Sequence, residues 1–319
     1  MKKTDFYFDS RDGVNKIHAV RYEPEESALK DGKPVAVLQI VHGMAEYVER
    51  YEETAKFFTE RGFVVTGEDH LGHGGSVAED GTFGYFCEQD PATVVVRDVH
   101  RLKKMTQSLY PGVPYFILGH SLGSFMVRNY ICRYGTGIQG AIIMGTGQNS
   151  AVQTTLGKAL AAEQKCFGGD KRKSPVLHNL VFGNANKRID NPKTENDWLN
   201  GNEENIAKYN ADERCGFMFT VNGFATLFEL IARATKAENL EKIPKDLPIV
   251  FVSGDQDPIG NYGEGVKAAY DAMDDVGVER LALKLYEGSR HEVLNEANGS
   301  EVMQDLYQWM CAKIPEANS

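Results

Sequence analysis

Tyr115-Phe116-Ile117-Leu118-Gly119-His120-Ser121-Leu122-Gly123 puts a G-x-S-x-G turn at the end of an apolar run. A helical pattern follows, from Phe125-Met126-Val127 through Ile131. Strand, G-x-S-x-G and helix in this order form the pattern of a nucleophile elbow. Chemistry explains the pattern. A serine hydroxyl is a weak nucleophile until a tight turn exposes it beside a base. The two glycines clear side chains from the turn, so strand and helix can approach closely. The helix N-terminus then offers backbone N–H groups where an oxyanion would form. The structural alternative is a Gly-Ser turn in some other α/β domain.

A nucleophilic serine needs a base, and the base needs an acid to fix its tautomer. Around an elbow of this kind the chain order is Ser, then Asp or Glu, then His. Two histidines follow Ser121: His178 and His291. His291 comes after the apolar run Leu281 to Tyr286 and the loop Glu287-Gly288-Ser289-Arg290. Loops at the C-terminal ends of parallel strands carry active sites in open α/β sheets, which favours His291. For the acid, Pro248 to Val252 runs into Ser253-Gly254-Asp255-Gln256-Asp257-Pro258. Asp255 and Asp257 compete, and the reach across Gly254 favours Asp257. A second oxyanion donor is expected in Val41-His42-Gly43-Met44, after the strand Val35 to Ile40. Met44 and Leu122 N–H are therefore the expected donors. His42 reads as a residue that shapes this loop.

The rest of the chain fits an α/β enzyme. Short apolar runs at Phe6–Phe8, Ile17–Tyr22, Val35–Val41, Phe63–Thr66, Tyr115–Leu118, Ala141–Met144, Pro248–Val252 and Leu281–Tyr286 predict strands. Between them, Val48–Arg61, Thr93–Ser108, Ser121–Tyr134, Gly265–Met273 and Val302–Lys313 predict helices. The alternation predicts a mostly parallel eight-stranded sheet flanked by helices, with an antiparallel start because the first two strands have no helix between them. From about Gln148 to Leu240 the alternation stops. Helical patches at Thr154–Ala162, Asn205–Tyr209 and Phe224–Ala237 surround a polar stretch, Lys187–Asn202. The expected organisation is a core over 1–147, a helical cap or lid over 148–240, and the second part of the core over 241–319.

Composition narrows the partners. The chain has 319 residues, 42% hydrophobic, and a net charge of −10. That length can bury a large core without staples, and that charge argues against nucleic acid. The basic cluster Lys171-Arg172-Lys173 reads as a solvated loop. Five scattered cysteines, with no C-x-x-C pair, predict free and mostly buried thiols in a reducing compartment. Met1-Lys2-Lys3-Thr4-Asp5-Phe6 lacks the apolar stretch of a signal peptide, no run is long enough to span a bilayer, and Glu316-Ala317-Asn318-Ser319 carries no lipidation motif. The expectation is a cytoplasmic protein without a stable membrane anchor. No phosphate-binding or dinucleotide-binding glycine motif occurs, so no cofactor is expected. His70 and His73 lack partner ligands at motif spacing, so no metal is expected.

Five segments carry a family resemblance. They are His42-Gly43-Met44-Ala45-Glu46 with Arg50-Tyr51; Asp69-His70-Leu71-Gly72-His73-Gly74-Gly75-Ser76; Gly119-His120-Ser121-Leu122-Gly123; Gly254-Asp255-Gln256-Asp257; and His291-Glu292-Val293-Leu294-Asn295-Glu296. Together they resemble the α/β-hydrolase fold and, within it, the bacterial monoacylglycerol lipase and lysophospholipase-like group. They span most of the chain outside the cap, in the group's order. Leu122 stands where the group's G-H-S-M-G has Met. The resemblance implies Ser121 as nucleophile, Asp257 as acid and His291 as base. It also implies that Glu46 and Arg50 lie near the alcohol end of the substrate; the structural alternative is an ion pair that braces its loop. Phe217, Phe219, Phe224, Leu227 and Phe228 read equally as an acyl pocket or as the cap's own core.

The implied activity is hydrolysis of single-chain lipid esters, of the monoacylglycerol or lysophospholipid type, with transient contact at a lipid surface. Oligomeric state is not legible. An aminopeptidase, thioesterase or haloperoxidase on the same fold is the alternative, since fold does not fix function. A peptidase would need a cap carboxylate for a free amine, and Glu195, Asp197, Glu203 or Glu204 would supply it. A non-catalytic binding protein is the third reading, and the retention of all three triad candidates counts against it.

Overall fold

The computed structural model describes residues 1–148 and 150–315. The reading of the tail Glu316–Ser319 lies outside the described residues. Eight strands form one sheet: β1 Lys2–Asp9, β2 Lys16–Glu23, β3 Ala36–Val41, β4 Phe63–Glu68, β5 Tyr115–His120, β6 Gly140–Met144, β7 Ile249–Gly254 and β8 Leu281–Tyr286. Their order across the sheet is β1-β2-β4-β3-β5-β6-β7-β8. β1 and β2 are antiparallel, and β2 runs antiparallel to β4. From β4 to β8 every pairing is parallel. All eight strands expected from the sequence are present, with ends that differ by a few residues.

The sheet is covered on both faces, which parallel strands require. Every residue of β3, β4, β5, β6 and β7 is buried. Period-two alternation divides these strands between two cores. Ile117 and Phe251 face one core with Val127 and Tyr130. Phe116, Leu118 and Val250 face the other with Leu306 and Met310. The covering helices are α1 Glu52–Thr59, α2 Pro91–Leu109, α3 Leu122–Tyr134, α9 Glu264–Asp274 and α10 Gly299–Cys311. The single helix expected over Val48–Arg61 is broken, since Val48–Tyr51 forms a tighter 3₁₀ turn before α1 begins.

Among the described residues, the insertion between β6 and β7 carries five helices: α4 Ala151–Gly168, α5 Pro175–Phe182, α6 Glu203–Ala211, α7 Val221–Ala234 and α8 Ala237–Leu240. α5 and α8 are absent from the sequence reading. The signal for α5 was present: the Ser174 side chain caps Leu177 N–H and Pro175 opens the helix. The cysteine expectation needs correction. All five are unpaired, but only Cys87 and Cys215 are buried and Cys166 is exposed. Cys166 sits on α4, which leaves most of its residues in solvent. Among the described residues no helix is long and apolar enough to cross a membrane.

One glycine fixes how the elbow is built. A Cβ on Gly123 would lie 2.0 Å from Val41 O and 2.6 Å from His42 O. Only glycine lets the first turn of α3 approach the end of β3, where the expected oxyanion segment begins.

Candidate active site

Ser121 stands between β5 and α3 with φ 53° and ψ −118°. A non-glycine residue pays strain for a positive φ. Here the strain turns the side chain out of the sheet, and Ser121 N–H donates to Met144 O at 3.0 Å on the neighbouring strand.

His291 follows β8 and Asp257 follows β7, and the two meet. His291 Nδ1 lies 2.9 Å from Asp257 Oδ2. Asp257 is fully buried, accepting from Ile259 N–H at 2.8 Å and from the Ser253 hydroxyl at 3.0 Å. Burial alone would lift its carboxyl, but the facing imidazole and these donors hold it below the ordinary value. In a neutral imidazole this geometry directs the Nδ1 proton to Asp257 and leaves Nε2 as the acceptor. Nε2 is buried and has no hydrogen-bond partner among the described residues. His291 and Ser121 line the same cavity. Asp255 is occupied elsewhere, accepting from Gly288 N–H at 2.9 Å. The other histidine candidate, His178, lies on α5 and faces the same cavity from the insertion.

Ser121 stands where two cavities meet. The first, about 380 Å³, carries polar groups including Glu46, His178, Asn186, Glu195 and Tyr209. The second, about 270 Å³, is mostly apolar, with Phe125, Leu156, Leu227, Phe228 and Ile231 in its wall. Met44 and Phe182 border both, and Leu122 borders the second. Of the aromatic candidates, Phe217 lines the first cavity and Phe228 the second. Phe219 lines neither; it is fully buried and packs on Phe86, Phe224 and His73.

Behind the first cavity lies a buried charge network. Glu46 Oε1 accepts from Gly43 N–H at 2.6 Å and from the Tyr51 hydroxyl at 2.9 Å, and faces His120 Nδ1 at 3.2 Å. Arg50 Nη1 donates to Glu46 Oε2 and to Glu292 Oε1, each at 2.6 Å. Its second nitrogen reaches Glu292 Oε2 at 3.1 Å, and the guanidinium lies 4.7 Å from the centre of the Tyr209 ring. Asn200 completes Glu292 with a donor at 2.9 Å. Burial opposes both carboxylate charges, yet Arg50 holds Glu46 well below the usual range and Glu292 below it. Burial likewise opposes a charge on His120, but Glu46 outweighs it and raises that imidazole. Arg50 lines neither cavity, because both its carboxylate partners and the Tyr209 ring enclose it. One arginine thus joins the expected oxyanion segment, the elbow's His120 and the His291 loop. Sequence reading missed Glu292 and His120 here; their signal was a charged residue beside each motif's key residue.

Truncating Arg50 strands two buried carboxylates. Arg50→Met is expected to cost about 3–5 kcal/mol in urea denaturation at pH 7. The loss should shrink as pH falls, because the stranded carboxylates then take up protons. Adding Glu46→Gln and Glu292→Gln should return a large part of it. A triple variant no more stable than Arg50→Met would contradict this account.

The insertion is laced to the His291 loop. Arg290 Nη1 donates to Asp197 O at 2.6 Å, Glu292 N–H to Leu199 O at 2.6 Å, and Asn205 Nδ2 to Asn295 O at 2.7 Å. The Trp198 ring packs 5.0 Å from the His291 ring. On the other side, His42 and His70 stack at 3.8 Å, and His42 Nε2 accepts from His70 N–H at 3.0 Å. Burial pushes His70 down to about 4 and His73 to about 3, so both are neutral. Among the described residues no group of three or more His, Cys, Asp or Glu could hold a metal ion.

Comparison with known proteins agrees with this architecture. The model of the family described as "Serine aminopeptidase, S33" matches residues 32–298. The monoglyceride lipase of Mus musculus is 29% identical over 295 residues, covering 90% of this chain and 86% of the lipase. The monoacylglycerol lipase of Mycolicibacterium smegmatis is 26% identical over 291 residues, covering 89% of this chain and 91% of that one. A crystal structure of a thermostable carboxyl esterase from Bacillus coagulans, in complex with glycerol, superposes with a TM-score of 0.90 at 30% identity, covering 99% of this chain and 100% of the esterase. The chain belongs to this serine aminopeptidase family, on the α/β-hydrolase fold, and is a carboxylic ester hydrolase similar to the monoglyceride lipases.

Proposed function

We propose that this hydrolase cleaves esters of single-chain lipids, of the monoacylglycerol or lysophospholipid type, through a Ser121–His291–Asp257 triad and an acyl-enzyme. The carrying observation is the junction at Ser121. An apolar cavity sized for one acyl chain meets a polar cavity there, and His291, anchored by a carboxylate and with no partner on Nε2 among the described residues, lines the same space.

In this reading the acyl chain lies along Phe125, Leu227 and Phe228, and the alcohol lies toward Glu46 and Phe217. His291 Nε2 takes the Ser121 proton as the hydroxyl oxygen attacks the ester carbonyl. Backbone N–H groups of Met44 and Leu122 hold the oxyanion. The imidazolium, steadied by Asp257, returns its proton to the departing alkoxide. Water, activated by the same imidazole, then releases the acid and restores Ser121. The insertion over 148–240 serves as the cap: it supplies walls of both cavities and clamps the His291 loop. Glu46 and Arg50 act here by bracing the oxyanion segment, with Glu46 alone reaching the alcohol space.

The aminopeptidase alternative rests on one carboxylate of the cap. Glu195 lines the polar cavity, whereas Asp197 accepts from Lys193 N–H and Thr194 N–H, and Glu203 pairs with Lys193. Parallel assays separate the readings. A monoacylglycerol should be hydrolysed at least about a hundredfold faster, in kcat/KM, than an aminoacyl amide, a gap of about 2.7 kcal/mol in transition-state binding. Equal or reversed rates would replace the lipase reading with the peptidase one.

A further inference from the structure

Three spaces lie in series at the seam between the insertion and the sheet. The polar and apolar cavities meet at Ser121. The apolar cavity also borders a third cavity, of about 430 Å³, with Leu180, Val181, Pro258 and Ile259 in the walls of both. The polar cavity and the third share no wall residue, so the apolar one lies between them.

The third cavity has a different character. Lys187, Arg188, Asn261 and Tyr262 give it polar walls, and no Asp or Glu lines it. The chain as a whole holds 45 acidic residues against 35 Lys and Arg, so two cations without a carboxylate run against its bias. No carboxylate of the described residues pairs with Lys187 or Arg188. Both residues are exposed, so this cavity opens to water at its cationic side.

Arg188 is held in place from the sheet side. Its guanidinium carbon lies 3.5 Å from the centre of the Tyr262 ring. Stacking on a ring leaves the in-plane N–H groups free to form a fork with a carboxylate. Tyr262 is tied in turn to the turn that carries Asp257, since its N–H donates to Asp257 O at 2.8 Å. It sits in a run of three positive φ values: Asn261 47°, Tyr262 57° and Gly263 93°. Two adjacent non-glycine residues in that region carry strain, which persists only where the surrounding contacts enforce it.

We propose that the third cavity is a subsite for an anionic end of the acyl chain, so that this enzyme cleaves half-esters of dicarboxylic acids. This deepens the ester-hydrolase reading and rests on it. The chain runs from Ser121 through the apolar cavity and past Leu180 and Ile259, and its terminal carboxylate meets Arg188 and Lys187. The methylenes stay in apolar surroundings, and the charge stays where water still reaches it. A chain too short to cross the seam strands its carboxylate in the apolar cavity, at a large desolvation cost. Chain length therefore decides whether the charge helps or harms.

The test is a series of monomethyl half-esters, from adipate through hexadecanedioate, each beside the methyl ester of the plain alkyl acid of equal length. The readout is the ratio of kcat/KM, charged to plain. In the wild type it should be low for short chains, rise by at least about tenfold to a maximum, and fall at high salt. At the maximum, a Lys187→Gln/Arg188→Gln variant should lower the ratio by about fivefold to tenfold, two exposed ion pairs' worth. The ratio is internal to each preparation, so partial unfolding does not mimic the effect. A wild-type ratio that stays flat with length, or a maximum equally high in the variant, would overturn the proposal and leave both cations as solvated surface. A wild type that hydrolyses none of the plain methyl esters would overturn the ester-hydrolase reading itself.

Discussion

Ser121→Ala is expected to lower kcat for a monoacylglycerol by about 10⁶, the scale reached when a nucleophile that acts as a unit with its base is removed. The reasons are local. The elbow holds Ser121 at a positive φ between β5 and α3, and Gly123 lets α3 approach the oxyanion segment. Removing Oγ leaves both cavities and the Glu46–Arg50–Glu292 network untouched, so binding and stability should change little. Residual turnover of about 10³–10⁴ over water would come from the oxyanion donors and positioning alone. The check is p-nitrophenyl ester hydrolysis beside urea denaturation. Substantial hydrolysis by a stably folded variant would exclude Ser121 as nucleophile.

Asp257→Asn is expected to lower kcat by about 10⁴ while keeping the fold, because the damage is to a tautomer and not to packing. An asparagine amide can turn its N–H₂ toward His291 Nδ1. The ring proton then moves to Nε2, where it blocks acceptance from Ser121. Asp255→Asn is the matched control: Asp255 accepts from the Gly288 N–H and does not touch His291. Its expected effect on kcat is less than about threefold, in line with an ordinary surface hydrogen bond. Comparable losses in both variants would mean that the carboxylate acts through loop stability and not through the imidazole.

The strands were legible because parallel strands buried on both faces are continuous apolar runs. Ile117 and Phe116 need no periodicity to be recognised as strand; they need only apolar neighbours. The elbow and the Asp257 turn lie directly after two such strands, β5 and β7, whereas the His291 loop follows β8, a more exposed edge strand that only its sequence alternation with helices marked. What escaped the sequence depends on long-range closure. Arg50 and Glu292 are separated by 242 positions, and no local pattern announces their pairing. The 3₁₀ turn at Val48–Tyr51 also has a tertiary setting, since Arg50 and Tyr51 there both bond Glu46. Phe217 and Phe219 look alike in sequence, yet one lines a cavity and the other fills a core. A two-residue offset decided that, and only assembly of the insertion on the sheet could fix it. The signal for α5, and with it the position of His178, is the two-residue start Ser174-Pro175, a cap followed by a proline at the first helical position.

The proposed mechanism makes Ser121 the activated nucleophile of an acyl-transfer site. Reaction with a fluorophosphonate probe, followed by peptide mapping, tests it most directly. One adduct per chain is expected, on the peptide that carries Ser121, formed far more slowly in Asp257→Asn and absent in Ser121→Ala. A folded wild-type protein that takes no label, or takes it at another serine such as Ser124 or Ser253, would contradict it.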